Sequence, residues 1–179
     1  IVGPRRAGKT YYLFQLIAEL ERQGIARNRI LYLNFEDERL ELEGRHDLII
    51  EAYLELYPEL DLSLSYFFFD EIQELDLWEK FVRRMFDTVT KRIFLTGSNA
   101  KLLSGEIATS LRGRSLSFEI MPLSFKEFLS FKEIDAQDIY STKNMSLIQN
   151  AFEEYLLWGG YPEIVGIEES FKPQVWQEY

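Results

Sequence analysis

The chain has 179 residues, 20 of them basic and 30 acidic, which leaves a net charge of −10 at neutral pH. It has no cysteine and one histidine, so disulfides, thiolate catalysis and cysteine-ligated metal centres are excluded, and a multi-histidine metal site has no material. Apolar residues at 46% and aromatic residues at 15% supply a core and exclude global disorder. No apolar run approaches the roughly 18 residues of a membrane-spanning helix. An acidic body does not draw in nucleic acid by long-range electrostatics, although a local basic patch still could. No secretory or transit signature is visible, so a cytoplasmic protein without a membrane role is expected. Asn144-Met145-Ser146 matches a glycosylation acceptor and is read as chance. The opening Ile1-Val2-Gly3 reads as the last step of a buried strand, with further chain expected before it.

In chain order, strand-like and helix-like stretches alternate. Leu13, Leu16, Ile17 and Leu20 recur at helical spacing between Thr10 and Gly24, where glycine supplies a stop. Residues 29–35 read as a strand and residues 47–56 as a helix. Residues 65–70, Ser-Tyr-Phe-Phe-Phe-Asp, form a short apolar run ending in acid that has the look of a strand buried on both faces. Trp78, Phe81, Val82, Met85, Phe86 and Val89 form the clearest amphipathic helix. Residues 92–95 are a further strand, and residues 115–121 a fifth candidate. Such alternation implies right-handed crossovers and a mainly parallel sheet covered by helices. After Pro122 only helix signals remain, over residues 124–131 and 146–158, with the polar stretch 134–144 read as a connecting loop. The expected organisation is a core over residues 1–121, a connecting helix and loop over 122–142, and the start of a helical lid or further domain over 143–179.

Gly3-Pro4-Arg5-Arg6-Ala7-Gly8-Lys9-Thr10 matches the phosphate-loop pattern of Gly, four residues, then Gly-Lys-Thr. The order is chemical. Glycines let the backbone curl until successive N–H groups point at phosphate oxygens, and the following helix adds its positive end. Lys9 can reach the outer phosphates and the Thr10 hydroxyl can ligate Mg²⁺, with Tyr11 next along the same binding stretch. Arg5 and Arg6 add positive charge that helps an acidic protein accept a polyanion, or they point to solvent.

Asp70-Glu71 closes the Phe-rich strand with adjacent carboxylates. Asp70 is the candidate Mg²⁺ ligand, through water, and Glu71 the candidate activator of an attacking water. Thr96-Gly97-Ser98-Asn99 follows the next strand; Ser98 or Asn99, with Thr96 behind, could sense a terminal phosphate, or simply cap a helix. In Arg112-Gly113-Arg114 a guanidinium could stabilise transition-state charge, in cis or from a neighbouring subunit, or could form a surface salt bridge. Gln73 could bond Glu71, although capping or solvent exposure is favoured for it. Asn34, Glu36 and Asp37 read as a polar loop in preference to groups supporting a site, and His46 as a loop residue.

Together Gly3–Thr10, Leu33-Asn34-Phe35-Glu36-Asp37-Glu38-Arg39, Phe69-Asp70-Glu71-Ile72-Gln73, Leu95-Thr96-Gly97-Ser98-Asn99, Leu111-Arg112-Gly113-Arg114 and Pro122-Leu123-Ser124-Phe125-Lys126-Glu127-Phe128-Leu129 resemble the AAA-type P-loop ATPases common in archaea and bacteria. Tyr155 to Val165, with Gly159-Gly160-Tyr161-Pro162-Glu163, looks like the start of the segment that follows the core in that family. The resemblance implies a three-layer α/β/α fold of the additional-strand type. Its parallel sheet would have five strands, the Asp70 strand not adjacent to the phosphate-loop strand, with a helical segment following. It implies ATP and Mg²⁺ as ligands, hydrolysis of ATP to ADP as the activity, and a homo-oligomer or protein partner engaged through a further C-terminal domain. A nucleotide-dependent switch with little turnover is the alternative. Coupling to DNA through a further domain is another, with no direct nucleic-acid binding expected from these residues.

Overall fold

The computed structural model describes residues 1–40, 42, 44–98, 114–137 and 140–176. Strand β1 (Ile30–Asn34), strand β2 (Tyr66–Asp70) and strand β3 (Ile93–Leu95) form a parallel sheet in the order β1-β2-β3. Leu33 stands opposite Phe69 and Asn34 opposite Asp70, while Phe69 is also in register with Leu95. Beyond β3, Val2 makes isolated parallel bridges to Gly97 and to Glu119. The Asp70 strand is therefore separated from the phosphate-loop step by β3, as the resemblance implied.

The expected five strands are not all formed: among the described residues there are three, and the first and fifth are single-residue bridges. Both bridges are made by Val2. Its N–H bonds the Phe118 carbonyl at 2.8 Å, and then Gly3 and Pro4 turn the chain out of the sheet. The segment expected as a fifth strand meets the sheet at Glu119, through its bridge to Val2.

The chain divides into two compact units, Ile1–Gly3 with Lys9–Glu119, and Pro4–Gly8 with Ile120–Tyr179. In the first, helix α1 (Lys9–Arg22), helix α2 (Leu48–Leu56) and helix α3 (Trp78–Thr88) cover the sheet. The two-residue period of β2 sorts its side chains between faces. Phe67 and Phe69 join Ile49 and Tyr53 of α2 and Phe81, Val82 and Met85 of α3. Phe68 turns the other way, to Leu13 and Ile17 of α1, and stacks on Phe94 with ring centroids 4.6 Å apart. All three β2 phenylalanines are fully buried, so this unit has the three layers expected.

The second unit is helical among its described residues: helix α4 (Phe125–Phe131), helix α5 (Thr142–Trp158), helix α6 (Pro162–Gly166) and helix α7 (Lys172–Trp176). Ser124 and Glu127 form a reciprocal capping box at the start of α4. Helix α5 begins four residues before the expected Ser146, because the Ser141 hydroxyl accepts from the Asn144 N–H and starts the helix there. Phe128, Leu129, Ala151 and Val165 make the core. The Leu123 N–H bonds the Gly160 carbonyl at 2.7 Å, and the Leu123 carbonyl accepts from the Tyr155 hydroxyl at 2.9 Å. A Cβ on Gly160 would overlap the Leu123 carbonyl oxygen, so this crossing requires glycine. Buried Lys172 and exposed Lys132 both pair with Glu154. No described helix is long and apolar enough to cross a membrane.

Candidate functional site

Two local features bring the candidate residues to one place. The first is the turn between Gly3 and Lys9, with Arg6 at φ 60° and Gly8 at φ 102°. A Cβ on Gly8 would meet open space, so its backbone angle, and not crowding, is what calls for glycine. The turn delivers Lys9 as the first residue of α1, where the helix's positive end lies. The second is the parallel ladder, which places the carboxyl ends of β1, β2 and β3 along one edge, where ligands bind in open α/β sheets.

Asp70, at the end of β2, is 1% exposed. Its side chain shares the α1 face of the sheet with Phe68, two residues back. The Tyr32 hydroxyl of β1 donates to Oδ2 at 2.9 Å, and the Thr96 hydroxyl donates to Oδ1. Burial, the bond to Asp70 and the charges of Asp70 and Glu71 all push the Tyr32 phenol up, so it stays a donor at neutral pH.

Glu71 adopts a left-handed backbone, φ 49° and ψ 50°. For a non-glycine residue this costs about 1–2 kcal/mol. Surrounding bonds hold it there: the Glu71 N–H donates to Thr96 Oγ1 at 3.0 Å, and the next N–H, of Ile72, to the Thr96 carbonyl at 3.0 Å. The turn aims the carboxylate at α1. Lys9 Nζ, on a residue only 3% exposed, lies 3.4 Å from Glu71 Oε1. Glu71 Oε2 accepts from Gln73 Nε2 at 2.7 Å and from the Ser98 hydroxyl at 2.9 Å. Burial alone would push the Glu71 carboxyl up; the Gln73 bond, the Lys9 charge and the Ser98 bond outweigh it and hold it below the ordinary glutamate value.

Of the residues singled out in the sequence, Lys9, Glu71 and Ser98 thus meet directly, with Asp70 and Thr96 adjoining. Thr10 follows Lys9, half-buried, and Tyr11 is exposed with its ring edge-on to Phe14. In the second unit Ala7 is buried, its N–H 3.4 Å from the Pro4 carbonyl, and Arg6 pairs with Glu163 at 3.3 Å. Arg5 is exposed. Arg114 pairs with Asp87 and lies over the Phe86 ring, without a hydrogen bond or ion pair to the Lys9–Glu71 group. Arg112 and Asn99 fall outside the described residues. Gln73 departs from the favoured reading, because its amide is spent on Glu71. Asn34 caps its own turn by accepting from the Glu36 N–H, and Asp37 pairs with Arg39, which is loop behaviour. His46 rests edge-on to Phe81. Sequence reasoning missed Tyr32 and ranked Thr96 last of its group. A polar-tipped aromatic two residues from a strand end was the available signal for Tyr32.

Among the described residues no cluster of three or more His, Asp or Glu could hold a metal alone. A hydroxyl at Thr10 and a carboxylate at Asp70 instead suit a small hard cation that takes one or two protein oxygens and keeps waters and phosphates.

Comparison with known proteins agrees with this geometry. Residues 1–129 match the AAA domain, and the chain belongs to that nucleotide-binding family. It is 46% identical over 185 residues to the uncharacterized protein MJ1544 of Methanocaldococcus jannaschii, an alignment covering all of this chain and 39% of the relative. An uncharacterized protein of Haemophilus influenzae is 39% identical over 175 residues, covering 98% of this chain and 42% of the relative. A second M. jannaschii protein, MJ1637, also uncharacterized, is 33% identical over 162 residues, covering 88% of this chain and 30% of that protein. The chain spans about two fifths of the length of the first two relatives.

Proposed function

We propose that this domain binds ATP with Mg²⁺ and hydrolyses it to ADP. The observation that carries the reading is the buried Lys9–Glu71 pair beside Asp70, at the carboxyl edge of a parallel sheet and the first turn of α1. Lys9 would exchange Glu71 for the outer phosphates, a better match for a buried ammonium on a helix N-terminus. Thr10 and Asp70 would hold Mg²⁺, which when bound neutralises charge on the phosphate oxygens. Glu71, released from Lys9, would accept a proton from the attacking water; its low proton affinity keeps it ionised at neutral pH. Ser98 and Gln73 would fix where Glu71 points, and the buried Gln73 Oε1, without a partner among the described residues, is an acceptor on that same amide. Arg114 would act as a finger only after leaving Asp87, or from a neighbouring copy, with Arg112 as its alternate. The working compartment is the cytoplasm, and the work done on a partner or a second copy resides in the longer protein that the relatives represent.

One observation favours the switch reading as second: both Glu71 oxygens are engaged by Lys9, Gln73 and Ser98, so the base has to give up a partner before it can take a proton. Steady-state phosphate release and nucleotide affinity decide. Lys9→Ala should weaken nucleotide binding and abolish turnover, while Glu71→Gln should keep binding and lower turnover roughly 10²–10⁴-fold. Arg114→Ala should lower kcat with little change in affinity. Wild-type behaviour in Lys9→Ala overturns the phosphate assignment; tight binding with negligible turnover in the wild type selects the switch.

A further inference from the structure

Tyr32 is the one aromatic side chain of β1 that touches the site. Its hydroxyl donates to Asp70 Oδ2 at 2.9 Å, and its ring lies 5.1 Å from that of Phe14, centroid to centroid. Phe14 is one helical turn after Thr10 on α1. Tyr32 therefore touches both elements that present the candidate Mg²⁺ ligands: the Asp70 carboxylate through its hydroxyl, and the first turns of α1 through its ring. The Thr96 hydroxyl holds the other Asp70 oxygen. With one donor on each oxygen, rotation of the carboxylate about its last bond is arrested, and its remaining lone pairs face a fixed direction.

We infer that Tyr32 is a positioning residue for the divalent cation: it sets the orientation of Asp70 and its spacing from Thr10, so that nucleotide and metal bind as a pair. This rests on the nucleotide reading above. A purely architectural Tyr32 would be a strut that stabilises the fold and does nothing for metal. The two differ in what the hydroxyl does. An architectural tyrosine contributes through its ring; a positioning tyrosine contributes through the bond to Asp70. Groups that orient a ligating carboxylate typically change metal affinity by about 10–100-fold when removed. Because the Asp70 contact is expected through water, the lower part of that range applies.

The test uses the full chain and ADP, with affinity measured by calorimetry in EDTA and across a Mg²⁺ series, and Mn²⁺ binding to the ADP complex read by electron paramagnetic resonance. In Tyr32→Phe the affinity in EDTA should equal wild type, and Mn²⁺ affinity should fall about tenfold. Raising Mg²⁺ should restore ADP affinity and turnover, which it would not do for a general loss of folding. Phe14→Leu keeps the hydroxyl but removes the ring that Tyr32 leans on; it should show a smaller loss of the same kind, and it serves if Tyr32→Phe does not fold. Wild-type Mn²⁺ affinity in Tyr32→Phe, while Asp70→Ala loses it, overturns the inference and leaves the nucleotide reading standing. Metal-indifferent ADP binding in the wild type, unchanged by Lys9→Ala, overturns both.

Discussion

Glu71 carries the sharpest conflict at the scale of single residues. It is an acidic side chain that is almost buried, on a backbone conformation suited to glycine, paired with an equally buried lysine. Removing one partner of such a pair leaves an uncompensated charge, so each depends on the other. Its titration gives a direct check. The folded carboxyl sits below the ordinary value of 4.5, so it contributes stability that is full above that value and is lost as the pH falls through the lower, folded one. Glutamine keeps an acceptor for Gln73 and Ser98 but loses the charge. Urea unfolding should therefore find Glu71→Gln less stable than wild type at neutral pH, with the gap closing below about pH 4.5. A gap that stays constant from pH 7 to pH 3 would show that the ionised form is not what Lys9 holds.

Among the elements, β2 is decisive, because it is both the centre of the core and the mount for Asp70. Phe68 is fully buried between Leu13, Ile17 and Phe94, so Phe68→Ala should cost about 3–5 kcal/mol in urea unfolding. A loss below about 1 kcal/mol would mean the α1 face repacks freely. Elements of this kind were legible from sequence. Tyr66–Phe69 could be read as a doubly buried strand, and the 78–89 stripe as a helix, because each signal is local. The extent of the fifth strand was not legible, since a strand exists by virtue of its pairing, and residue types in 115–121 do not tell that only Glu119 bridges to Val2. The site was half legible. Lys9, Asp70 and Glu71 announce themselves by spacing, whereas the Gln73 bond follows from the left-handed turn at Glu71, which no residue type signals. Tyr32 reaches Asp70 diagonally across two strands, a relation set by register.

At the scale of the whole molecule, the two compact units have separate cores, and the helical one hinges on the crossing of Leu123 with Gly160. Gly160→Ala would force the Leu123 carbonyl aside and disturb the bond it accepts from Tyr155. Hydrogen exchange should then show faster exchange in α4 and α5, with protection of β1, β2 and β3 unchanged. Equal loss across the sheet would mean the two units unfold as one.

The pair of hydroxyls on Asp70 also has a consequence for what can approach it. Tyr32 has one proton to give and gives it to Oδ2. Thr96 gives its proton to Oδ1 while its own oxygen is taken by the Glu71 N–H, so it cannot swing round to serve another acceptor. Every position still open on that carboxylate is an electron pair. A water hydrogen or a cation can settle there; a bare phosphate oxygen meets only its own kind and is turned back. Under the proposed function Asp70 would thus sort arrivals by polarity before any shape is tested, passing what brings positive charge and leaving the anion to Lys9, the partner of the neighbouring Glu71.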